Sequence, residues 1–449
     1  MRAVRAALVV ALLAPLMPTA VPTASAAPAI VRTPTDPLSI VRLRSDAEGH
    51  RWRGAMTISF ENAGASVLEE VYLRLWSNGV RGCDPLAIRV ANVRGGTPGR
   101  LRQRCTTVRV QLDDPLVQGE RTRLRFSLRI DVPKRNDRFG HLGGLSLLGS
   151  ALPALAVHDD AEWNLPPFVD LGESFYSVAG RYRVTLDTPI GLETPTTGTR
   201  TGRRVEGSRW ISTYTARQVR DFEWAAARLS RLVGHAGDTR VVVSYQPARV
   251  SLRTARAMRR HAVRSMHTFS DAFGDYPYRE VDVVLLGAAT FGGMEYPTIV
   301  FSEANRLTIA HELAHQWWYG VVGSDQFSEP WLDEGLATWS QYLPFNPWRR
   351  CDTFSWPSGS ARMTNDMSYW REHPGAYGRV AYLGGGCMLA QLAEGFGLAR
   401  FERLLGRYAA AHWLDNARTG DLQAIVERMA ARHWAGFDAD TFWSTWRVD

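Results

Sequence analysis

Two histidines and a glutamate stand in the pattern H-E-x-x-H at His311, Glu312 and His315. On a helix, residues four positions apart share a face, so both imidazoles can reach one metal ion. The carboxylate of Glu312 then lies on the open side of that ion, where it can take a proton from water. The pattern is typical of zinc-dependent hydrolysis. Two buried histidines that are hydrogen-bonded in a helical core, without a metal, would show the same sequence pattern.

A catalytic zinc ion needs a third protein ligand and one open position. Glu334 follows His315 after 18 intervening residues, at the start of a second predicted helix. Ser328 is a candidate N-cap for that helix and Pro330 suits its first turn. Two histidines and one glutamate form a zinc-type ligand set. We therefore predict one Zn²⁺ per chain, bound by His311, His315 and Glu334.

The N-terminal residues have the pattern of a secretory signal peptide, predicted to span 1–26. Arg2 and Arg5 precede an apolar run over residues 6–17, and small residues lead to the A-x-A pattern of Ala24 to Ala26. That run has about 12 residues, whereas a membrane-spanning helix needs about 20. We expect cleavage at this site and a secreted, extracellular protein without stable membrane insertion.

Four cysteines fit an exported protein. They contain no C-x-x-C spacing, which argues against a zinc ribbon. Four cysteines allow three pairings. We favour the local pairs, Cys83 with Cys105 and Cys351 with Cys387, because each falls inside one predicted domain.

The composition indicates a globular protein with more than one domain. The chain has 449 residues, 45% of them hydrophobic, and a net charge of +8. Its basic residues are nearly all arginines scattered among acidic ones, without a patch interleaved with aromatic residues. This favours a solvated surface over nucleic-acid binding. Peptide substrates are the expected partners, and we expect a monomer.

The hydrophobic pattern changes near residue 235, and this change predicts an α+β, multidomain fold. Residues 27–235 contain short alternating segments separated by turn signals, which predict an N-terminal antiparallel β domain, saddle-like or sandwich-like. Residues 236–449 predict a mixed α/β domain that is mainly helical after about residue 305. The best-defined segments are the strands over 55–60, 108–112, 124–130, 182–186, 240–245 and 281–286, and a helix over 252–273 with Ser251 as its N-cap.

These motifs resemble the gluzincin zinc aminopeptidases, the group of aminopeptidase N. The resemblance rests on H-E-L-A-H-Q-W-W from His311, on W-L-D-E-G around Glu334, and on G-G-M-E-Y from Gly292, which is similar to the family's G-x-M-E-N. It implies that a thermolysin-like zinc catalytic domain follows the β domain, in a short two-domain form of the family.

The resemblance also implies roles for further residues. Glu295 matches the family's glutamate that binds the free α-amine of the substrate, and Gly292 and Gly293 would let the backbone approach that substrate closely. Tyr382 fits the setting of the family's tyrosine that stabilises the oxyanion, a preorganised donor of the kind that matters most in such reactions. Tyr377 is the main rival for that role.

The implied function is a secreted aminopeptidase that removes N-terminal residues by attack of zinc-activated water, with Glu312 as general base and acid. Two alternatives stay open. Tyr296 stands where the family has asparagine, and only 115 residues follow Glu334, so an endopeptidase acting on blocked or internal bonds is one alternative. A catalytically silent binding protein on the same scaffold is the other, although the complete ligand set argues against it.

Overall fold

The computed structural model describes residues 31–159, 162–287, 291–345 and 351–448. The predicted signal peptide, residues 1–26, lies outside the described residues. The alternating pattern that predicted strands in the first half of the chain is confirmed. In the strand Arg121–Asp131, for example, Leu124, Phe126 and Leu128 are buried, while Arg125 between them is exposed and Ser127 is half-buried.

The first half is built from strands joined by short connections. Its elements are β1 (Thr35–Ser45), β2 (Arg51–Glu61), β3 (Leu68–Arg74), α1 (Asn78–Arg81), β4 (Ile88–Arg94), β5 (Gly96–Arg102), β6 (Thr107–Leu116), β7 (Arg121–Asp131), β8 (Phe139–Leu142), β9 (Leu145–Leu148), β10 (Ala154–Leu155), β11 (His158–Asp159), β12 (Glu162–Trp163), β13 (Gly180–Pro189), β14 (Thr199–Glu206), β15 (Arg209–Val219) and β16 (Trp224–Ala227).

Within the described ranges these strands form one large sheet and several smaller ones. The large sheet has the order β14-β15-β13-β1-β2-β7-β4, and the next has the order β10-β3-β6-β5. The remaining strands form the sheet β16-β9-β8 and the pair β11-β12. Pairing is antiparallel as predicted except between β1 and β13, which run parallel in the middle of the large sheet.

The second half combines one sheet with a set of helices. Its elements are β17 (Ser230–Ala236), β18 (Thr239–Tyr245), α2 (Leu252–Phe273), β19 (Glu280–Leu286), β20 (Gly293–Met294), β21 (Ile299–Glu303), α3 (Arg306–Ala314), α4 (Pro330–Ser340), a 3₁₀ turn (Cys351–Thr353), α5 (Met367–Glu372), α6 (Pro374–Tyr377), a π-helical turn (Gly378–Gly384), α7 (Gly385–Phe396), α8 (Leu398–Ala411), α9 (Thr419–His433) and α10 (Ala439–Thr445).

The sheet of the second half has the order β17-β18-β19-β21-β20 among the described residues. Its short strand β20 occupies one edge and carries the glycine-rich motif. The division predicted at residue 235 falls at the end of β17, whose partner β18 follows through a tight hairpin. The α+β fold class, with a β-rich N-terminal half and an α/β catalytic half, is confirmed.

Helix α2 covers the sheet of the second half and spans the predicted residues, 252–273. The Ser251 hydroxyl accepts a hydrogen bond from the Thr254 amide at 3.1 Å, which is the predicted N-cap. Its buried residues include Met258, Ala262 and Met266, spaced four apart on one face. Burial of that face against the sheet, rather than helix propensity alone, holds the element in place.

The predicted disulfides are both present. Cys83 and Cys105 are bonded with a Cα–Cα distance of 5.4 Å, and Cys351 and Cys387 with one of 5.3 Å. Across the described ranges, no helix is long and apolar enough to cross a membrane.

Candidate active site

Helix α3 carries both histidines of the H-E-x-x-H pattern. The Asn305 side chain caps the helix by accepting a hydrogen bond from the Leu307 amide at 2.8 Å. His311 lies in the last turn and His315 at the C-terminal cap. Their Nε2 atoms lie 3.2 Å apart, so the two imidazoles converge on one point, as the spacing predicts.

Helix α4 brings the predicted third ligand, Glu334, to the same point. The Oε2 atom of Glu334 lies 3.2 Å from His311 Nε2 and 3.5 Å from His315 Nε2. Burial alone would raise the pKa of the Glu334 carboxyl. Hydrogen bonds from His311 and His315 outweigh that effect and hold this pKa well below its usual range.

The prediction that Ser328 caps α4 is wrong. The helix begins at Pro330, as predicted, but Glu329 occupies the N-cap position without a side-chain capping bond. Ser328 instead donates from its amide and its hydroxyl to the carboxylate of Asp325, at 3.2 and 2.8 Å. A local turn closed by Asp325 therefore competes with the cap for the same hydroxyl.

The three converging ligand atoms fit a zinc ion. Zinc bonds of about 2.0–2.2 Å in a tetrahedral arrangement separate neighbouring ligand atoms by roughly 3.4 Å. The separations of 3.2, 3.2 and 3.5 Å match that spacing. The donor set of two imidazole nitrogens and one carboxylate oxygen suits zinc and leaves a fourth position open.

A second carboxylate orients one of the histidines. Asp333 Oδ1 lies 2.6 Å from His315 Nδ1, and the Trp318 carbonyl oxygen lies 3.0 Å from the same nitrogen. With Nδ1 donating its proton to these acceptors, the lone pair of Nε2 faces the metal position. Such a carboxylate behind a metal-binding histidine fixes its tautomer and increases its basicity.

Glu312 is buried beside the histidines, with 4% of its surface exposed. Burial is the main reason that the pKa of its carboxyl is raised well above the usual value. The backbone of Gly293 packs directly against this side chain, because a Cβ atom there would lie 2.6 Å from Glu312 Cγ. Gly292 precedes it with φ +77°, a conformation that favours glycine. Both glycines therefore shape the wall next to the proposed base.

A third glutamate joins the site from the first half of the chain. Carboxylate oxygens of Glu173, Glu295 and Glu334 lie within 4.8 Å of one another. Burial, opposed by Arg138, raises the pKa of Glu173 to about 7. The Arg138 guanidinium donates to Glu173 Oε1 at 2.7 Å and to the Gly172 carbonyl at 2.8 Å. One guanidinium beside three buried carboxylates leaves a site that favours a cation.

Tyr382, rather than Tyr377, lines the cleft. The Tyr382 hydroxyl donates to Glu334 Oε1 at 2.6 Å, and its ring lies parallel to that of His311 with centroids 5.9 Å apart. It belongs to the π-helical turn 378–384, a distortion that recurs at functional sites. Tyr377 is 4% exposed and does not line the cleft; its hydroxyl packs against the lining residue Gly172.

Tyr296, the departure from the family motif, points away from the cleft. Its side chain has no exposed surface and packs edge-on against Phe301, with ring centroids 5.6 Å apart. The hydroxyl lies 3.5 Å from Ser150 Oγ in the first half of the chain. Tyr296 therefore packs behind the glycine-rich motif 292–296, and Glu295 is the residue of the pair that lines the cleft.

The cleft has a volume of about 760 Å³ and contains all of the predicted site residues. Its lining includes the proposed zinc ligands, Glu312, Tyr382 and the segment 292–295. Sequence reasoning missed Glu173 and Arg138, which reach the cleft from loops of the first half. It also missed the role of Asp333. The local signal that could have found it is its position directly before the predicted ligand Glu334.

The fold and the metal-binding geometry together define a thermolysin-like metallopeptidase architecture preceded by a β domain. Residues 258–446 match the model of the peptidase family M1 domain. This part of the chain is therefore similar to M1 peptidase domains, and the predicted resemblance to gluzincin aminopeptidases is confirmed.

Curated relatives share this part of the chain. Aminopeptidase M1-B of Oryza sativa subsp. japonica is 28% identical over 198 residues, which are 37% of this chain and 23% of that protein. The alanine/arginine aminopeptidase of Saccharomyces cerevisiae is 26% identical over 200 residues, 36% of this chain and 23% of that protein. The chain thus matches about a quarter of the length of these relatives.

Solved structures share the whole fold. A two-domain M1 zinc metallopeptidase, an alanine mutant bound to L-arginine, superposes with a TM-score of 0.68 at 19% identity, over 93% of this chain and 94% of that one. A mutant M1 zinc metallopeptidase from Deinococcus radiodurans, bound to a Tyr-Ser-Ala substrate, gives 0.65 at 20% identity over the same shares. At these identities the likeness establishes the two-part fold alone.

Proposed function

We propose that this protein is a zinc-dependent aminopeptidase that removes N-terminal residues from peptides. The observation that carries the proposal is the cluster of Glu173, Glu295 and Glu334 beside His311 and His315. These buried carboxylates lie beside one guanidinium, Arg138, and favour the binding of cations; a metal ion and a substrate ammonium are the cations of this proposal.

Recognition of the free amine follows from the position of two of these carboxylates. Glu295 and Glu173 accept hydrogen bonds from the three N–H groups of an α-ammonium, and such charge-assisted bonds are short and strong. Arg138 holds Glu173 in place on the far side. Because Glu334 would hold the metal next to them, an ammonium bound here places the peptide bond of its own, N-terminal residue toward the metal position.

The chain's own residues then move the protons. When bound, zinc supplies Lewis-acid activation of water and of the scissile carbonyl. The buried carboxylate of Glu312 takes a proton from the attacking water, and its raised pKa suits it to deliver that proton to the leaving amine. The Tyr382 hydroxyl, which donates to Glu334 Oε1 in the absence of substrate, would donate instead to the developing oxyanion.

The two alternative functions are less well supported. An endopeptidase was suggested by Tyr296, yet this side chain packs behind the motif and away from the cleft. A silent binding protein would have no use for a buried base, but Glu312 is present and next to the metal position.

We also propose that the protein is secreted. The A-x-A pattern at Ala24 to Ala26 supports this, as do the two disulfides, which persist in oxidising compartments. N-terminal sequencing of the protein from the culture medium would test it, with Ala27 as the expected first residue.

The proposed activity is tested with fluorogenic aminoacyl amides, each with a free or an N-acetylated amine. We expect hydrolysis of the free-amine forms only, lost on chelation and restored by added zinc. Equal cleavage of the acetylated forms would refute the amine role of Glu295 and favour the endopeptidase. A zinc-loaded protein that hydrolyses neither form would favour the silent binding protein.

A further inference from the structure

Gln326 lies in the loop between α3 and α4, with 1% of its surface exposed. Its Nε2 atom donates to Asp333 Oδ2 at 2.5 Å and lies 3.3 Å from Glu295 Oε1. Its backbone amide donates to the Phe175 carbonyl at 3.2 Å, two residues after Glu173. One residue therefore contacts the proposed amine anchor, the carboxylate behind a zinc ligand, and the segment that carries the second amine carboxylate.

The orientation of the Gln326 amide is fixed by its surroundings. Its NH₂ group has two hydrogens, one for each carboxylate. The flipped amide would place Oε1 against two carboxylate oxygens, which repel it. In the orientation observed, Oε1 has no hydrogen-bond partner among the described residues, so the side chain is held by its NH₂ end.

The contacts form a continuous path from the amine site to the metal site. Glu295 contacts Gln326, Gln326 donates to Asp333, and Asp333 accepts from His315 Nδ1 at 2.6 Å. Every side chain on this path is at least 97% buried. The amide is uncharged, so it joins the two carboxylates without adding a charge to a site that must receive two cations.

We propose that Gln326 is a positioning residue that sets the place of Glu295 relative to His315, and thereby the distance between the substrate's ammonium and the zinc ion. This inference rests on the proposed function. Loss of the amide removes a donor from both carboxylates at once. Both recognition of the free amine and affinity for zinc then weaken, although Gln326 touches neither substrate nor metal.

The test compares Gln326→Met with Gln391→Met in the full chain. Methionine keeps the length of the side chain but removes the amide. Gln391 provides the matched control because its amide accepts one hydrogen bond, from Trp446 Nε1 at 2.7 Å, on the exposed side of α7. The measurements are zinc affinity by chelator competition, KM for a free-amine aminoacyl amide at saturating zinc, and thermal unfolding.

We expect Gln326→Met to bind zinc about tenfold more weakly, because it removes a donor from Asp333, the carboxylate behind the zinc ligand His315. We also expect its KM for the free-amine amide to rise about tenfold, the cost of one hydrogen bond to a charged group. The Gln391→Met protein should match the wild type in both properties. Wild-type values of either property in Gln326→Met overturn the proposed coupling.

Two further arms keep the test decisive. If Gln326→Met does not fold, Gln326→Asn withdraws the amide by one methylene, and the same two losses are expected. If the wild type itself shows no preference for a free amine, the proposed function fails. The zinc affinities then still decide whether Gln326 positions His315.

Discussion

Substituting Gly293 by alanine tests how closely the glycine-rich motif approaches the proposed base. An added Cβ would lie 2.6 Å from Glu312 Cγ and closer still to the carboxylate. Carbon atoms pack best at about 3.5–4.0 Å, so the Glu312 side chain would have to retreat by about 1 Å. Strand β20 is paired with β21, which prevents the backbone from moving instead.

The expected effect falls on catalysis rather than on metal binding. A misplacement of about 1 Å in a catalytic group can lower the rate by about 100-fold. The three atoms nearest to the new methyl group all belong to Glu312, so we expect unchanged zinc content. Gly420→Ala is the matched control, because a Cβ there meets nothing within 4 Å.

The assay is kcat for a free-amine aminoacyl amide at saturating zinc, together with metal content and thermal unfolding. We expect a large fall in kcat for Gly293→Ala and wild-type behaviour for Gly420→Ala. A Gly293→Ala enzyme that keeps its zinc and turns over within threefold of the wild type would refute the inferred packing of Gly293 on the base.

Three further predictions follow from the same geometry. Glu312→Gln should keep its zinc and lose about 10²–10⁴-fold in kcat, as expected for a general base; an active variant with bound zinc would rule out that role. Glu173→Gln should raise KM for free-amine substrates about tenfold with a smaller change in kcat, since one charge-assisted hydrogen bond to the ammonium weakens; an unchanged KM in Michaelis curves would contradict it. Burial, with a smaller contribution from Glu280, raises the pKa of Asp282 to about 8 from 3.8. The folded state therefore holds this proton more tightly than the unfolded state, so stability should fall as pH rises from about 4 to about 8, by up to about 1.4 kcal/mol per pH unit. Asp282→Asn should remove that slope in urea unfolding, and an unaltered slope would show that Asp282 is ionised in the folded protein.

The parts of the protein that sequence predicted well are those specified by local spacing. His311 and His315 share a helix face because they are four residues apart. Helix α2 followed from one apolar face and a serine cap, and both were found at the predicted residues. Strands such as β7 followed from alternation along the chain. In each of these cases the governing interactions lie within about 20 residues of one another.

The parts that were missed depend on contacts between distant segments. Glu173 joins the site from a loop more than 100 residues before the metal ligands, and its neighbours form no motif. The Tyr296 ring points toward the first half of the chain and away from the cleft. This orientation depends on packing near Ser150, which is about 150 residues away in the sequence. Ser328 has a capping residue's chemistry, but Asp325, three residues earlier, binds its amide and hydroxyl.

The most direct test of the proposed aminopeptidase activity is the order in which products appear from one peptide. A peptide of about ten residues and its N-acetylated form would be incubated with the zinc-loaded protein and followed by mass spectrometry. We predict successive loss of single residues from the free N-terminus and no cleavage of the acetylated peptide. Internal fragments from both peptides would contradict the assignment of Glu173 and Glu295 to the substrate's amine.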